Sequence, residues 1–176
     1  LEAEGVSTLQ LSGGEPTVRD DLPQICALAR EMGFLHIMIN TNGIRLARDP
    51  DYLRRLKESG ATTIYLSFDG VTDDVYRSIR GLDLFRLKEQ VVENCARAKI
   101  AVVLAPVIVP RVNDHQLGDI VQFAKSHMPI IKGIHIQPIS YFGRYPYPPP
   151  DEDRITIPDV IDALESQTDG EVEEQN

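Results

Sequence analysis

Five short segments rich in aliphatic and β-branched residues recur along the chain at nearly even spacing. They occupy residues 8–12, 36–40, 63–67, 102–106 and 134–138, so their starts are 28, 27, 39 and 32 residues apart. Between them, apolar side chains recur three and four residues apart, as in helices that bury one face. Alternating strands and helices with this spacing predict right-handed βαβ units around a parallel sheet, an α/β fold.

Four of the predicted strands are apolar on one side and mostly polar on the other. Leu9 and Leu11 face one way in the first strand, for example, while Gln10 and Ser12 face the other. Strands of an open sheet covered on both faces would be apolar on both sides. The pattern therefore predicts a partial (β/α) TIM-like barrel, with helices outside and a polar, ligand-binding concave face. The segment at 102–106 departs from this pattern because it is apolar on both sides.

The ends of several helices can be placed from capping residues. Asp49 is expected to cap a helix that begins at Pro50 and stops before Gly60, and Asp114 is expected to cap a later one. The repeating pattern ends near residue 141. Residues 1–142 are therefore interpreted as a truncated barrel core, 143–154 as a proline-rich linker, and 155–176 as a helix with an acidic tail. The chain starts with Leu rather than Met, and we expect it to be a piece of a longer protein.

Composition narrows the classes of partner. The 176 residues include 18 Lys and Arg against 27 Asp and Glu, a net charge of −9 with no basic cluster, which argues against nucleic-acid binding. No apolar run reaches the roughly 18 residues of a transmembrane segment. Cys26 and Cys95 match no disulfide or metal-binding spacing, so a cytoplasmic location is expected.

Candidate chemistry lies at the carboxyl ends of the first three predicted strands, where parallel α/β folds bind ligands. Each strand is followed by a loop that combines glycine with small polar or acidic residues; the three loops read SGGEPT at 12–17, NTNG at 40–43 and SFDG at 67–70. In the first loop, two glycines leave backbone groups accessible, and Glu15 offers a carboxylate to a cation or ammonium group. Ser67 and Asp69 are two residues apart and are expected to hold a diol such as ribose.

These loops, in this order, resemble the core of the radical S-adenosylmethionine (SAM) enzymes. The sequence Gly13-Gly14-Glu15-Pro16 is similar to the motif with which that family holds the methionyl amine of SAM. The resemblance covers roughly residues 1–142, which implies about five parallel strands of a six-stranded core. Residues 11–22, 112–120 and 154–160 look most like the branch that contains archaeal tetraether lipid synthases and pterin-modifying radical methylases.

The resemblance also implies roles for individual residues. Glu15, with the backbone of the two preceding glycines, would bind the SAM amino group, while Ser67 and Asp69 would lie near its ribose or carboxylate, and Gln137 near its adenine. The complete set of implied cofactor-binding residues is Gly13, Gly14, Glu15, Pro16, Asn40, Asn42, Ser67, Asp69 and Gln137.

One feature of the family pattern is missing. Radical SAM enzymes bind a 4Fe–4S cluster through a Cys-x3-Cys-x2-Cys loop, and this chain contains only Cys26 and Cys95, both predicted to be buried in helices. The cluster ligands are therefore expected upstream of Leu1, and this chain alone is expected to be inactive. In the full-length protein, the resemblance implies one-electron cleavage of SAM to a 5′-deoxyadenosyl radical for hydrogen abstraction or methylation, with ferredoxin or flavodoxin as electron donor.

Two other functions stay open from the sequence. The chain could be a non-catalytic binding module that keeps the barrel without the cluster. A lyase or aldolase would instead need a Schiff-base lysine or a metal-binding set on the concave face, whereas the lysines fall in predicted helices and loops. If a preceding strand is absent, the edge of the strand at 8–12 is unpaired, and two copies of the fragment are expected to dimerise through it.

Overall fold

A computed structural model describes residues 5–141 and 150–172, except for the side chain of Glu152. Seven strands are found in this part of the chain: β1 (Thr8–Leu11), β2 (His36–Thr41), β3 (Thr63–Ser67), β4 (Ala101–Ala105), β5 (Val107–Ile108), β6 (Ile131–Ile134) and β7 (Gln137–Pro138). The α-helices of the same part are α1 (Leu22–Glu31), α2 (Ile44–Arg48), α3 (Pro50–Glu58), α4 (Asp73–Arg80), α5 (Phe85–Ala98), α6 (Leu117–Ser126) and α7 (Ile157–Gln167).

The main sheet has five parallel strands in the order β1-β2-β3-β4-β6. A second sheet pairs β5 with β7, also in parallel. Strand order follows chain order in the main sheet, and helices connect its strands, as in successive βαβ units. The predicted α/β partial barrel is thus confirmed.

The two faces of the sheet differ as the alternation of residues predicts. Ile37, Ile39, Ile64 and Leu66 are completely buried on the face that the helices cover. Asn40, on the other face, is only half-buried. Each buried aliphatic side chain of this kind contributes about 1.5–3 kcal/mol to stability, so the covered face fixes which side of each strand remains available to a ligand.

Several predicted elements are correct in position. Asp49 caps α3 as expected, since its side chain accepts a hydrogen bond from the Tyr52 N–H at 2.8 Å. The C-terminal helix also forms as α7, and Thr156 and Asp159 make a reciprocal capping box at its start. None of the helices in the described part of the chain is long and apolar enough to cross a membrane.

Two local predictions are wrong, and two helices were not predicted. The segment expected as one strand at 134–138 is divided, because β6 ends at Ile134 in the main sheet while Gln137 and Pro138 pair with β5. Asp114 does not cap α6; it begins a short 3-10 helix, and its carboxylate accepts from the next N–H. Helices α2 and α4 were not expected.

The C-terminal helix packs on the barrel. The side chain of Gln167 accepts from Gly118 N–H at 3.0 Å and donates to the Asp114 carbonyl at 2.8 Å. Val160 packs in a small core with Ile108 and Leu117. Most of the linker predicted at 143–154, and the end of the acidic tail, lie outside the described residues.

Candidate S-adenosylmethionine site

A cavity of about 450 Å³ opens on the concave face at the carboxyl ends of the strands. Its walls come from all three predicted loops and from the β4–β5 junction and β7. The lining residues are Gly14, Glu15, Asn40, Thr41, Asn42, Tyr65, Ser67, Arg80, Ala105, Val107 and Gln137. Six of the residues predicted from the sequence are therefore brought together here: Gly14, Glu15, Asn40, Asn42, Ser67 and Gln137.

Glu15 joins the β1 and β2 loops through its carboxylate. Oε1 accepts hydrogen bonds from Thr17 N–H (3.0 Å), Thr17 Oγ1 (2.6 Å) and Thr41 Oγ1 (2.6 Å). Oε2 accepts from Asn42 N–H at 2.7 Å. Every one of these donors is neutral, so among the described residues the carboxylate is held in place without a hydrogen bond from a cationic side chain.

These contacts keep Glu15 ionised. Partial burial by itself raises the pKa of the carboxyl group, but the hydrogen bonds from Asn42, Thr17 and Thr41 outweigh it, and the pKa of Glu15 is lowered. At neutral pH the β1 side of the cavity therefore carries a negative charge.

The glycines and proline of the same loop have different roles. Gly13 has φ +133°, a backbone conformation that side-chain-bearing residues rarely adopt, and it does not line the cavity. A Cβ atom added to Gly14 would meet no atom within 4 Å, so a side chain there would project into open space at the cavity wall. Pro16 is buried and begins a 3-10 helix that the Glu15 side chain caps.

The two asparagines of the second loop act mainly on the loops themselves. Asn40 Nδ2 donates to Ser12 Oγ at 3.3 Å, which connects the ends of β1 and β2. Asn42 Oδ1 accepts from Ile44 N–H at 2.9 Å at the start of α2. The backbone of Asn42, rather than its amide side chain, holds Glu15.

Asp69 lies elsewhere than expected. It is completely buried, does not line the cavity, and accepts two hydrogen bonds from Arg80, at 2.8 Å from Nε and 3.2 Å from Nη2. The hydrogen bonds that Arg80 donates to Asp69 raise the pKa of Arg80 above its ordinary value. Arg80, at the end of α4, lines the cavity with its guanidinium 3.4 Å from Ser67 Oγ. Sequence analysis missed Arg80 because it missed α4, although Val75, Tyr76 and Ile79 before the Gly81 stop are a helical signal.

Polar and aromatic side chains lie together on the side of the cavity where Gln137 is. Gln137 Nε2 donates to the Tyr65 hydroxyl at 3.2 Å, and burial raises the pKa of Tyr65. The Tyr65 and His135 rings form a T-shaped pair, with ring centroids 5.6 Å apart. The predicted strand at 134–138 would place His135 at its start, away from the cavity, but β6 ends at Ile134, and His135 lies beside a residue that lines the cavity.

One buried amide connects the loops that follow β3 and β4. Asn113 Nδ2 donates to the carbonyl groups of Asp69 (2.7 Å) and Val107 (2.8 Å), while its Oδ1 accepts from Val109 N–H at 2.7 Å. Asn113 is completely buried. It therefore fixes the Asp69 loop relative to the Val107 wall of the cavity.

The donor set fits the amino-acid end of SAM, which carries one ammonium and one carboxylate group. The cavity presents an anionic Glu15 on one side and a cationic Arg80 on the other. The described residues do not supply cluster ligands, since Cys26 and Cys95 are buried, free thiols and no group of three potential ligands lies together in this part of the chain.

Curated proteins match this chain over most of its length. The chain is 47% identical over 169 residues (96% of the chain, 33% of the relative) to the 7,8-dihydro-6-hydroxymethylpterin dimethyltransferase of Methanocaldococcus jannaschii. It is 31% identical over 137 residues (77% of the chain, 42% of the relative) to the GTP 3′,8-cyclase of Alkaliphilus oremlandii. The chain thus spans well under half the length of these relatives.

Solved structures show the same fold at low identity. A domain of pyruvate-formate lyase-activating enzyme from Bacteroides vulgatus matches with a TM-score of 0.63 and 14% identity, over 92% of this chain and 94% of that one. The radical SAM methyltransferase TsrM from Kitasatospora setae, solved with cobalamin and a 4Fe–4S cluster, matches with a TM-score of 0.54 and 12% identity, over 78% of this chain and 28% of that one. The family profile described as the Radical SAM superfamily matches residues 1–124, and the chain belongs to that superfamily.

Proposed function

We propose that this chain is the SAM-binding barrel of an enzyme that cleaves SAM reductively and modifies a C–H bond of its substrate. One observation carries the proposal: Glu15 and Arg80, of opposite charge, line a single cavity at the carboxyl ends of the strands. Ligands bind at this end of parallel α/β sheets, and charge-assisted hydrogen bonds are stronger than neutral ones.

Each part of SAM then has a partner in the cavity. The ammonium group binds Glu15 Oε2, because Oε1 already accepts three hydrogen bonds, and it lies against the side-chain-free surface of Gly14. The carboxylate binds Arg80 and Ser67, which are adjacent. The adenosyl part lies toward Ala105, Val107 and Gln137 on the opposite wall.

The cluster is proposed to bind residues outside this chain, because Cys26 and Cys95 are packed in the core. Burial raises the pKa of Cys26 to about 11 and that of Cys95 to about 12, so neither is a thiolate ready to ligate iron. When bound, the cluster and SAM supply the 5′-deoxyadenosyl radical that abstracts hydrogen. Ferredoxin or flavodoxin is the proposed electron donor, and the cytoplasm, where free thiols stay reduced, is the proposed location.

The test uses the full-length protein with its cluster reconstituted. Wild type is expected to bind SAM in an isothermal titration and, with dithionite, to release 5′-deoxyadenosine that chromatography detects. Glu15→Gln is expected to weaken binding, whereas Glu58→Gln, an exposed change on α3, is expected to leave it unaltered. A full-length protein that binds SAM, assembles no cluster and releases no 5′-deoxyadenosine would instead be the non-catalytic module.

A sharper candidate for the reaction is methylation of a reduced pterin. It is favoured by the 47% identity, across 96% of this chain, to a 7,8-dihydro-6-hydroxymethylpterin dimethyltransferase. The full-length protein is incubated with that dihydropterin, SAM and reductant, and mass spectrometry follows the gain of one or two methyl groups. An unchanged pterin, with 5′-deoxyadenosine still produced, would point to another substrate.

We also propose that the isolated fragment dimerises through β1. Among the described strands, β1 is an edge of the main sheet and pairs only with β2. Unpaired edge groups favour association with another strand. Light scattering of the fragment is expected to give twice the 19.7 kDa chain mass, and a monomer would reject this part of the proposal.

A further inference from the structure

Lys88 is a buried lysine that the proposed SAM contacts do not use. Its side chain comes from α5 and is only 2% exposed, and its Nζ donates to the carbonyl oxygen of Asn42 at 2.7 Å. The ammonium group also lies 5.7 Å from the centre of the Tyr76 ring. Lys88 does not line the cavity and approaches the Asn42 loop from the core side.

The carbonyl that Lys88 holds belongs to the peptide between Asn42 and Gly43. At the other end of that peptide, Gly43 N–H donates to Thr41 Oγ1 at 3.0 Å, and Thr41 Oγ1 in turn donates to Glu15 Oε1. Gly43 has φ +80°, a conformation that glycine adopts without steric cost. Lys88 holds the carbonyl end of this peptide and Thr41 Oγ1 holds its N–H end, so the two bonds together fix which way the peptide faces.

Burying the Lys88 ammonium group in this way lowers the stability of the fold, so stability does not explain why a lysine is present. Burial lowers the pKa of Lys88 to about 8; the negative charges of Asp69 and Glu15 oppose this shift, while Arg80 adds to it. A buried cation bonded to a neutral carbonyl is commonly less stable than an apolar side chain of similar volume. Residues that reduce stability in this way are frequent at functional sites.

We propose that Lys88 is a positioning residue for SAM binding. It fixes the Asn42–Gly43 peptide from the core side of the loop. This keeps the Thr41 hydroxyl and the Asn42 N–H where they donate hydrogen bonds to Glu15. This inference rests on the proposed function of the cavity. Helix α5 contributes no residue to the cavity wall, yet through Lys88 it would control the affinity for the amino-acid end of SAM.

The test compares Lys88→Met with Lys132→Met in the full-length, cluster-reconstituted protein. Lys132 is an exposed residue on β6 and provides the matched control. Without SAM, hydrogen–deuterium exchange of the peptide spanning residues 41–45 is expected to speed up at least about tenfold in Lys88→Met only, because these amides lose their restraint. The SAM dissociation constant is expected to rise about tenfold, the effect of one lost charge-assisted hydrogen bond.

Thermal unfolding supplies the readout that distinguishes positioning from simple structural support. Lys88→Met is expected to melt above wild type at pH 7. The folded-state pKa of Lys88 is about 8, against 10.5 for an ordinary lysine. Between these pH values the unfolded chain holds the proton and the folded chain does not, so wild type gains stability as the pH rises. The difference in melting temperature between Lys88→Met and wild type is therefore expected to narrow. A variant that melts higher but binds SAM more weakly supports the proposal.

Other outcomes overturn it. Unchanged exchange at residues 41–45, or SAM affinity within twofold of wild type, means that Lys88 does not position the site. Glu15→Gln, measured in parallel, separates the two levels of inference. If Glu15→Gln loses affinity and Lys88→Met does not, only the role of Lys88 is rejected; if neither loses affinity, the SAM site itself is rejected.

Discussion

Two acidic residues, Glu15 after β1 and Asp69 after β3, are held in opposite ways. Glu15 is half-buried and accepts only neutral hydrogen bonds, from two threonines and two backbone amides. Asp69 is completely buried and is paired with Arg80. Both loops look alike in sequence, since each places an acid among glycine and small polar residues at the end of a strand.

The difference decides what each loop presents to the cavity. The Glu15 loop presents a carboxylate, because no cation of the described chain is bonded to it. Beside the Asp69 loop, the group that lines the cavity is the guanidinium of Arg80, because the Asp69 carboxylate is buried and paired with it. Two similar motifs thus give the cavity a carboxylate acceptor at one end and the guanidinium donors of an Arg80–Asp69 pair at the other, and a zwitterionic amino acid carries groups complementary to both.

Removing the buried acid is expected to have the largest effect on stability. Asp69→Ala removes both hydrogen bonds to Arg80 and the acceptor of Val107 N–H. The free energy of unfolding is expected to fall by about 2–3 kcal/mol, at the low end for a broken buried pair because Arg80 stays partly solvated. Urea denaturation measures it. Asp83→Ala, which breaks an exposed pair with Arg77, is the control and is expected to change stability by less than about 1 kcal/mol.

Removing the charge of Glu15 is expected to affect binding most. In Glu15→Gln, an amide replaces one carboxylate oxygen and no anion is left for the ammonium group of SAM. The SAM dissociation constant is expected to rise about 10- to 100-fold, corresponding to one charged hydrogen bond. Isothermal titration of SAM into Glu15→Gln and into Arg80→Gln sharpens the comparison, because each variant removes the charged group at one end of the same site. Equal affinity in wild type and both variants would contradict the assignment of opposite ends.

A methyl group on the cavity wall is expected to have a smaller effect. Gly14→Ala and Gly133→Ala both place a Cβ where no atom lies within 4 Å, at an ordinary backbone conformation. Only Gly14 lines the cavity. We expect Gly14→Ala to weaken SAM binding about 5- to 10-fold, roughly 1 kcal/mol, with an unchanged melting temperature, and Gly133→Ala to change neither. Equal affinities for the two variants would show that SAM does not contact Gly14.

The smallest effect concerns acid stability. Because the pKa of Glu15 is lowered in the folded state, its ionised form stabilises the protein above the ordinary value of 4.5, and this contribution disappears as pH falls through the folded-state value. Wild type and Glu15→Gln are therefore expected to differ in urea midpoint at pH 7 and to converge as the pH falls below the folded-state pKa of Glu15. If the two urea midpoints still differ by the same amount at acid pH, the hydrogen bonds of the loop do not stabilise the ionised form of Glu15.

The sequence predicts the fold and the β1 side of the site well, for local reasons. Strand faces follow from alternating residues such as Ile37 and Ile39, and the Gly13-Gly14-Glu15 loop follows from glycine at a strand end. The family match over residues 1–124 confirms the radical SAM resemblance. These features depend on neighbours within a few positions.

The β3 side depends on contacts that span longer stretches of chain. Arg80 reaches Asp69 only because α4 has the length and direction that return its last turn over the β3 loop. Lys88 is 46 residues from Asn42. Its spacing from Val91, Val92 and Cys95 places it on the buried face of α5, but no local pattern identifies the distant carbonyl group to which it donates. The division between β6 and β7 likewise depends on pairing with β4 and β5 rather than on residues 134–138 alone.

Asn113 has a consequence for engineering this barrel. One side-chain amide connects backbone atoms that follow two different strands, 44 and 6 residues away from it in sequence. A graft that moves the Ser67–Asp69 loop to another barrel without the turn at Asn113 would leave a buried carbonyl without its donor and the graft misaligned. The two loops and the turn at Asn113 form one transferable unit, and domain exchange between relatives should cut the chain after Asn113 rather than before it.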